Sequence, residues 1–299
     1  MGYNDKKTYE THKNTRTKKG KAVDGRVTPK KNLGQHFLVD EGISKRIADT
    51  VDAYPDIPVL EVGPGTGMMT KYIIPKGRPF KVVEIDCESV DYLHDHYPDL
   101  EVINGDFLKM DLTTIFDSPA SAALPLGGAG RGAAPFLLTG NYPYDISSQI
   151  FFKMLDHRDL IPCCTGMIQR EVALRIASQP GNKAYGILSV MLQAWYDCEY
   201  LFTVDENVFN PPPKVKSAVI CMKRNSRTDL GCDEALFKRI VKTTFNQRRK
   251  MLRVSLKPLF GADNMPSAEF FQQDIMTKRP EQLTIEQFIE LTNLVSEVI

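Results

Sequence analysis

The chain has no apolar run approaching the roughly 18 residues that a membrane-crossing helix needs, so no membrane span is expected. Its N-terminus lacks the apolar core of a secretory signal. Apolar residues are nearly absent before Val23, which argues against an amphipathic transit peptide. Cysteine is sparse and badly spaced for metal. Cys87, Cys163, Cys164, Cys198, Cys221 and Cys232 form no Cys-x-x-Cys pair, and none lies near histidine at zinc-ligand spacing. They are expected to be reduced thiols of a cytoplasmic protein. The five histidines are scattered without a His-Ser-Asp grouping, so neither a metal site nor a nucleophilic triad has support. Two phosphate-binding signatures are also missing: there is no G-x-G-x-x-G fingerprint and no P-loop Gly-Lys-Ser/Thr.

What is present suits a folded globular chain, with 42% hydrophobic and 25% charged residues. A length of 299 residues allows two domains with sizeable cores. The net charge is only +1, but it is unevenly spread. Residues 1–31 carry ten Lys/Arg against Asp5, Glu10 and Asp24, a local +7, which leaves −6 for the remainder. This tail, to about Thr28, has few apolar residues and is expected to be disordered. It reads either as a phosphate-contacting arm or as an extension that only aids solubility.

A helix is expected from about Glu41 to Ala53, and strands alternating with helices from Pro58 to about Lys223. That alternation implies a parallel sheet with helices on both faces. Cys163 to Ile168 and Ala218 to Met222 are short enough for buried strands. Residues 118–135 are rich in Ala, Gly and Pro and read as a mobile surface loop. From Asp229 onward the apolar spacing becomes helical, through Leu236, Ile240 and Phe245 and again through Ile285, Phe288 and Val295. Arg248, Arg249, Lys250 and Arg253 are expected within two turns of one such helix, as a phosphate-binding edge or a plain solvated face. Lys214 and Lys216, beside the stiff Pro211-Pro212-Pro213 turn, extend the same basic surface.

Four strand ends carry chemistry. Val59-Leu60-Glu61-Val62 reads as a strand, and the loop Gly63-Pro64-Gly65-Thr66-Gly67 follows at once, before a helix-like segment from Met68 to Ile74. Glycines between strand and helix let a ligand approach the backbone closely. The next strand, Phe80 to Asp86, brings Glu84 to its end, 21 residues past Gly63. That is near the interval at which a carboxylate meets ribose hydroxyls. A third strand, Leu100 to Ile103, precedes Asn104-Gly105-Asp106-Phe107, where Asp106 can accept from an adenine amino group and Phe107 can stack. A fourth, Phe136 to Gly140, ends in Asn141-Tyr142-Pro143-Tyr144. An amide oxygen, a prolyl carbonyl and an aromatic ring at one point suit an amino group on a planar base. An ordinary turn accounts for those four residues equally well when they are taken alone. Ligands of open α/β sheets bind at the carboxyl ends of strands, which favours the chemical reading for all four together.

Glu61-Val62-Gly63-Pro64-Gly65-Thr66-Gly67, Val83-Glu84-Ile85-Asp86, Gly105-Asp106-Phe107 and Asn141-Tyr142-Pro143-Tyr144 resemble, in order, the motifs of class I S-adenosylmethionine-dependent adenine-N6 methyltransferases. Three further segments are similar to one branch, the ribosomal RNA adenine dimethyltransferases (the KsgA, or RsmA, family): Asn32 to Leu38, Phe209 to Val219 and Phe245 to Leu252. The likeness covers about Pro29 to the C-terminus. It departs at Tyr142, where an aliphatic residue is commoner, at His36, where Asn is also common, and in the unmatched stretch 118–135.

The resemblance implies a Rossmann-like α/β sheet with helices on both faces over residues 29–224, and a small all-α C-terminal domain over 225–299. It implies S-adenosyl-L-methionine as cofactor, held by His36, Leu38, Gly63, Gly65, Glu84, Asp106 and Asn141. Asn141, Pro143 and Tyr144 would be catalytic, and Lys214, Lys216, Arg248, Arg249, Lys250 and Arg253 would contact RNA. The implied reaction is dimethylation of two adjacent adenines near the 3′ end of 16S rRNA, in the 30S subunit or its precursor, by a cytoplasmic monomer without metal. Three rivals are a 23S rRNA adenine methyltransferase, a DNA adenine methyltransferase and a 30S assembly factor that needs no catalysis.

Overall fold

The computed structural model describes residues 27–117, 132–261 and 264–299. The predicted disordered tail, as far as residue 26, and most of the predicted mobile loop lie outside them. Within them the chain begins against the body of the protein, because Val27 is fully buried.

The first extended pair is β1 (Phe37–Leu38). Helix α1 (Glu41–Ala48) follows, capped by the Asp40 carboxylate, which accepts from Ile43 N at 2.8 Å. The helix tightens into a 3₁₀ stretch over Asp49–Ala53, so the predicted span to Ala53 is helical but not uniformly α. Then come β2 (Val59–Val62), α2 (Thr70–Ile73), β3 (Phe80–Glu84), α3 (Cys87–His96), β4 (Glu101–Asn104), β5 (Leu137–Thr139), α4 (Ser147–Asp156), β6 (Cys163–Gln169), α5 (Arg170–Ile176), α6 (Ile187–Gln193), β7 (Tyr196–Val204), β8 (Phe209–Asn210) and β9 (Ser217–Arg224). Helix α2 is shorter than the expected Met68–Ile74, giving way to a 3₁₀ turn at Ile74–Lys76 where Pro75 enters.

The main sheet has seven strands in the order β4-β3-β2-β5-β6-β9-β7. Strands β2 to β6 are parallel, with β2 at the point where the order reverses between β3 and β5. The expectation of an all-parallel sheet is corrected at the far edge, where β9 runs antiparallel to both β6 and β7. A connection without a helical crossover joins β7 to β9, and such a connection returns the chain antiparallel. That return also brings β8 back to β1, pairing Phe37 with Asn210 and Leu38 with Phe209.

Alternation along the strands sorts side chains onto two faces. Leu60, Leu138, Cys164 and Ile220 join the larger apolar cluster, which α4 and α6 cover with Phe151, Met154 and Val190. Val59, Leu137, Cys163 and Cys221 face the opposite side, against Ala48, Val51 and Ile73. After the sheet the chain is helical: α7 (Glu234–Asn246), α8 (Leu252–Ser255) and α9 (Ile285–Ser296). Phe288 of α9 meets Phe237 and Phe245 of α7 at 6.3 and 6.0 Å between ring centroids. Phe245 in turn meets Tyr185 before α6 at 6.2 Å, which ties the helical region to the larger cluster. Residues flanking 118–131 are pinned together, with Asp117 bridged to Ala133 and Ala134 N donating to Phe116 O at 2.8 Å. Among the described residues no helix is long and apolar enough to cross a membrane.

Candidate active site

At the carboxyl ends of β2, β3 and β5 lies a cavity that opens to solvent. All nine catalytic and cofactor candidates from the sequence line it: His36, Leu38, Gly63, Gly65, Glu84, Asp106, Asn141, Pro143 and Tyr144. They reach it from five separate segments of the chain.

The glycine loop forms the floor. Gly63 and Gly65 have φ of 68° and 56°, in the left-handed region. A Cβ on Gly65 would come within 2.8 Å of the Phe37 ring, so the missing side chain is what lets β1 close over the loop. Gly65 N donates to Glu84 Oε2 at 3.0 Å, and Ile85 N and Asp86 N donate to Oε1 at 2.9 Å each. Three backbone amides thus hold the Glu84 carboxylate at one orientation on the cavity wall. Burial raises its pKa, and those three bonds offset only part of the rise. Ile85, 50% exposed, supplies an apolar patch beside it.

Asp106 caps the turn after β4 by accepting from Leu108 N at 3.0 Å. Phe107 lines the cavity and is only 4% exposed, whereas Ile85 is the accessible apolar surface there. Behind the loop, Glu61 is 1% exposed and accepts from Thr70 Oγ1 at 2.7 Å. Desolvation pushes its pKa up to about 7, with the nearby Glu84 charge acting in the same direction.

The corner that carries Asn141 to Tyr144 is built by β5 and β6. Met167 N donates to Gly140 O and Tyr142 N to Met167 O, both at 2.9 Å, so the ladder continues past β5 and fixes the backbone on both sides of Asn141. Asn141 Nδ2 donates to His36 O at 3.0 Å. One of the two amide N–H groups is used in this way, which fixes the orientation of the group and leaves the oxygen as its acceptor for an incoming donor. Tyr142 turns the other way, 1% exposed, its hydroxyl donating to Thr165 O at 2.9 Å. Period-2 alternation explains why this position, where the chain departs from the family pattern, touches the core. Pro143 O accepts from Ile146 N at 3.2 Å and keeps its second lone pair. Tyr144 is anchored by its hydroxyl to Ser217 Oγ at 2.5 Å, with one ring face turned to His36 at 5.7 Å and 26°. Burial raises the tyrosine pKa, so at neutral pH the ring is an uncharged phenol. His36 Nδ1 lies 2.8 Å from Pro211 O. Two motifs far apart in sequence, at 32–38 and 209–219, thus meet over the cavity.

The sequence drew attention to Gln35, Asp86 and Ser217 only as members of motifs; the structure gives each a contact. Gln35 and Asp86 bond to one another, and Ser217 holds Tyr144. An Asp placed just before an amphipathic helix is a readable capping signal. Nothing local marks Ser217.

The six basic candidates do not line the cavity. Lys214 and Lys216 are exposed just before Ser217, and Lys216 pairs with Asp205 at 3.0 Å. The expectation that Arg248, Arg249, Lys250 and Arg253 share one helix is corrected. The first three form a turn between α7 and α8, closed by Lys250 N donating to Gln247 O at 2.7 Å, and Arg253 is the second residue of the next helix. Arg248 is half-buried and donates to Asn182 O at 3.2 Å, whereas Arg249, Lys250 and Arg253 are exposed. Among the described residues no group of three or more His, Cys, Asp or Glu could hold a metal.

A switch-point cavity with a glycine-loop floor, an amide-held carboxylate and an Asn-aromatic-Pro-aromatic corner defines a class I methyltransferase fold with a site built for an amino group on a planar base. The chain belongs to the ribosomal RNA adenine dimethylase family, whose model matches residues 26–297. It is 60% identical to the ribosomal RNA small subunit methyltransferase A of Phocaeicola vulgatus over 277 residues, 92% of either chain. Among solved structures it resembles a dimethyladenosine transferase from Plasmodium falciparum, with TM-score 0.71 and 24% identity over 88% of this chain and 98% of that one. It also resembles the 23S rRNA methyltransferase ErmE, with TM-score 0.58 and 26% identity over 86% of this chain and 99% of that one.

Proposed function

We propose that the protein transfers methyl groups from S-adenosyl-L-methionine to N6 of two adjacent adenines near the 3′ end of 16S rRNA, within the 30S subunit or its precursor, as a step of ribosome biogenesis in the cytoplasm. The observation that carries the reading is the convergence of nine separately recognised residues on one cavity, with the amide of Asn141 already oriented by His36. The relationship to small subunit methyltransferase A supports the choice of ribosomal particle.

The residues present fit the cofactor. Glu84 offers a fixed carboxylate to ribose hydroxyls, Ile85 an apolar surface and Asp106 an acceptor to adenine, and the Gly63–Gly65 backbone lies open to the amino-acid moiety beside His36 and Leu38. When bound, that cofactor supplies an electrophilic methyl group on a sulfonium. The protein then has to bring in and orient a nitrogen whose lone pair is delocalised into the purine ring. In the first transfer Asn141 Oδ1 and Pro143 O would accept the two N–H groups and turn the lone pair toward the methyl, and in the second the single N–H left on the monomethylated amine would bond to one of them, which is catalysis by positioning and polarisation. Tyr144 offers the ring face away from His36 to an adenine drawn out of its stack. The amine becomes cationic on transfer and loses its proton to water, so no protein base is required.

Outside the cavity, Lys214, Lys216, Arg249, Lys250 and Arg253 serve as phosphate contacts. Arg248 gives part of its donor set to the Asn182 carbonyl and braces that turn. Residues 225–299 form the helical, RNA-facing part of the enzyme.

The test is incubation of the protein with labelled S-adenosylmethionine and either unmethylated 30S or 50S particles, followed by nucleoside analysis. Label in N6,N6-dimethyladenosine of 16S rRNA is expected. Label confined to 23S rRNA, or none in either particle, would refute the assignment.

A further inference from the structure

The segment 30–39 carries His36 and Leu38 over the cavity as a strap. One of its edges is held by β8, through the β1 pairing and through Val39 N donating to Val208 O at 2.8 Å. The other edge ends on the buried Asp86 carboxylate, with the more exposed Glu88 carboxylate 3.2 Å from Lys30 Nζ beside it. The Asp86 side chain is 1% exposed and accepts from Lys30 Nζ, from Gln35 Nε2 at 3.1 Å, from Ser89 Oγ at 3.2 Å and from Glu88 N at 3.3 Å. A helix cap needs only the Glu88 contact. The donors from Lys30 and Gln35 cross more than 50 residues of sequence, and one of them carries a charge. Gln35 also closes the strap on itself, its Oε1 accepting from Lys30 N at 2.8 Å. On its far side, Asp86 donates its own N–H to Glu84 Oε1 at 2.9 Å.

We propose that Asp86 is a positioning residue that fastens the strap, through Lys30 and Gln35, to the same strand end that orients Glu84, so that the two walls of the cofactor cavity are set by one buried group. The inference rests on the cofactor reading given above. Removing the Lys30 or Gln35 contact frees one edge of the strap while β8 still holds the other, which loosens His36 and Leu38 without unfolding the sheet. Burial alone would raise the Asp86 pKa, but the bonds from Lys30 and Gln35 outweigh it, so the carboxylate stays charged through the neutral range. The charged groups around it are Lys30 and Glu88, with Glu84 on the preceding strand.

The variants are Lys30→Met, Gln35→Leu and Asp86→Asn, the last keeping an oxygen for the Glu88 cap while setting an amide NH₂ against the Gln35 NH₂ and removing the charge that faces Lys30. Hydrogen exchange on cofactor-free protein reads the amides of Leu33, Gly34 and Gln35, which bond to the carbonyls of Lys30 and Lys31. Calorimetry reads S-adenosylmethionine affinity, and steady-state kinetics separates KM for the cofactor from kcat. Exchange is expected to accelerate roughly tenfold at those amides and not in α3, with cofactor affinity falling about tenfold and kcat holding within about threefold. Asp86→Asn, which disturbs both contacts, is expected to have an effect at least as large as either of the other two. Unchanged strap exchange in Lys30→Met and Gln35→Leu would overturn the proposal, as would faster exchange with unaltered affinity. Absence of cofactor binding in the unmutated protein would overturn the cofactor reading instead, and the exchange data would still report on the fastening.

Discussion

Asn141 works through one end of its amide because His36 occupies the other. Asn141→Ala removes the acceptor for the amine together with one bond to His36 O, and leaves the glycine loop, Glu84 and the Asp86 and β8 contacts of the strap untouched. Turnover is therefore expected to fall on the order of 10²–10³-fold, while calorimetric affinity for S-adenosylmethionine stays within about threefold. Normal turnover would remove Asn141 from the chemistry. Glu61 makes a different prediction, about stability. Its folded-state pKa is raised to about 7 from 4.5. The favourable contribution of the protonated acid is fully present below pH 4.5 and is lost as pH rises through about 7. Glu61→Gln should flatten that loss and stabilise the protein at pH 8 by up to about 3 kcal/mol relative to the parent. Chemical denaturation at pH 5 and pH 8 checks it, and parallel pH dependence in both proteins would contradict the assignment. At this scale the placement was legible in the sequence, because the strand-end motifs carrying Gly63, Glu84, Asp106 and Asn141 do line one cavity. Their partners were not: Ser217 is 73 positions from the ring it holds, and no local spacing encodes that contact.

Among elements, the closest approach is between the ends of β5 and β6. A Cβ on Gly166 would come within 2.3 Å of Gly140 O, and one on Gly140 within 2.5 Å of Val62 O. Backbone cannot give way as a flexible side chain does. Gly166→Ala is therefore expected to cost about 2–4 kcal/mol and to lower activity through displacement of Asn141. Denaturant melts together with turnover measure both effects, and a melt like that of the parent would show that the strands have slack here. The turn between α7 and α8 carries the RNA prediction. Arg249→Glu with Lys250→Glu should weaken RNA binding and reduce the slope of log affinity against log salt by about one for each lost contact. A titration series in salt decides, and an unaltered slope would leave that turn a solvated surface. Strand positions were legible from apolar runs, Val59–Val62 to the residue. Strand direction was not, since period-2 alternation reads the same both ways and β9 is reversed by the shape of the chain before it. The basic cluster was misjudged because Arg and Lys favour helices, whereas the tertiary bond from Leu252 N to Lys278 O interrupts one there.

For the molecule as a whole, the helical region and the α/β sheet share one apolar cluster, joined through Tyr185, Phe245 and Phe288. Phe288→Ala opens a cavity at the junction and is expected to destabilise by about 3–5 kcal/mol, with loss of the sheet and of the C-terminal helices in a single transition. A calorimetric scan that resolved two transitions would show two units melting separately. The pairing of β1 with β8, by contrast, bears on how the enzyme is made. Residues 36–38 leave a translating ribosome long before residues 209–217, and until the later segment emerges the earlier one is held only at its Asp86 side. A nascent chain can thus complete its parallel strands with one side of the strap still unpaired, so the cavity is closed only after more than two-thirds of the chain has been made.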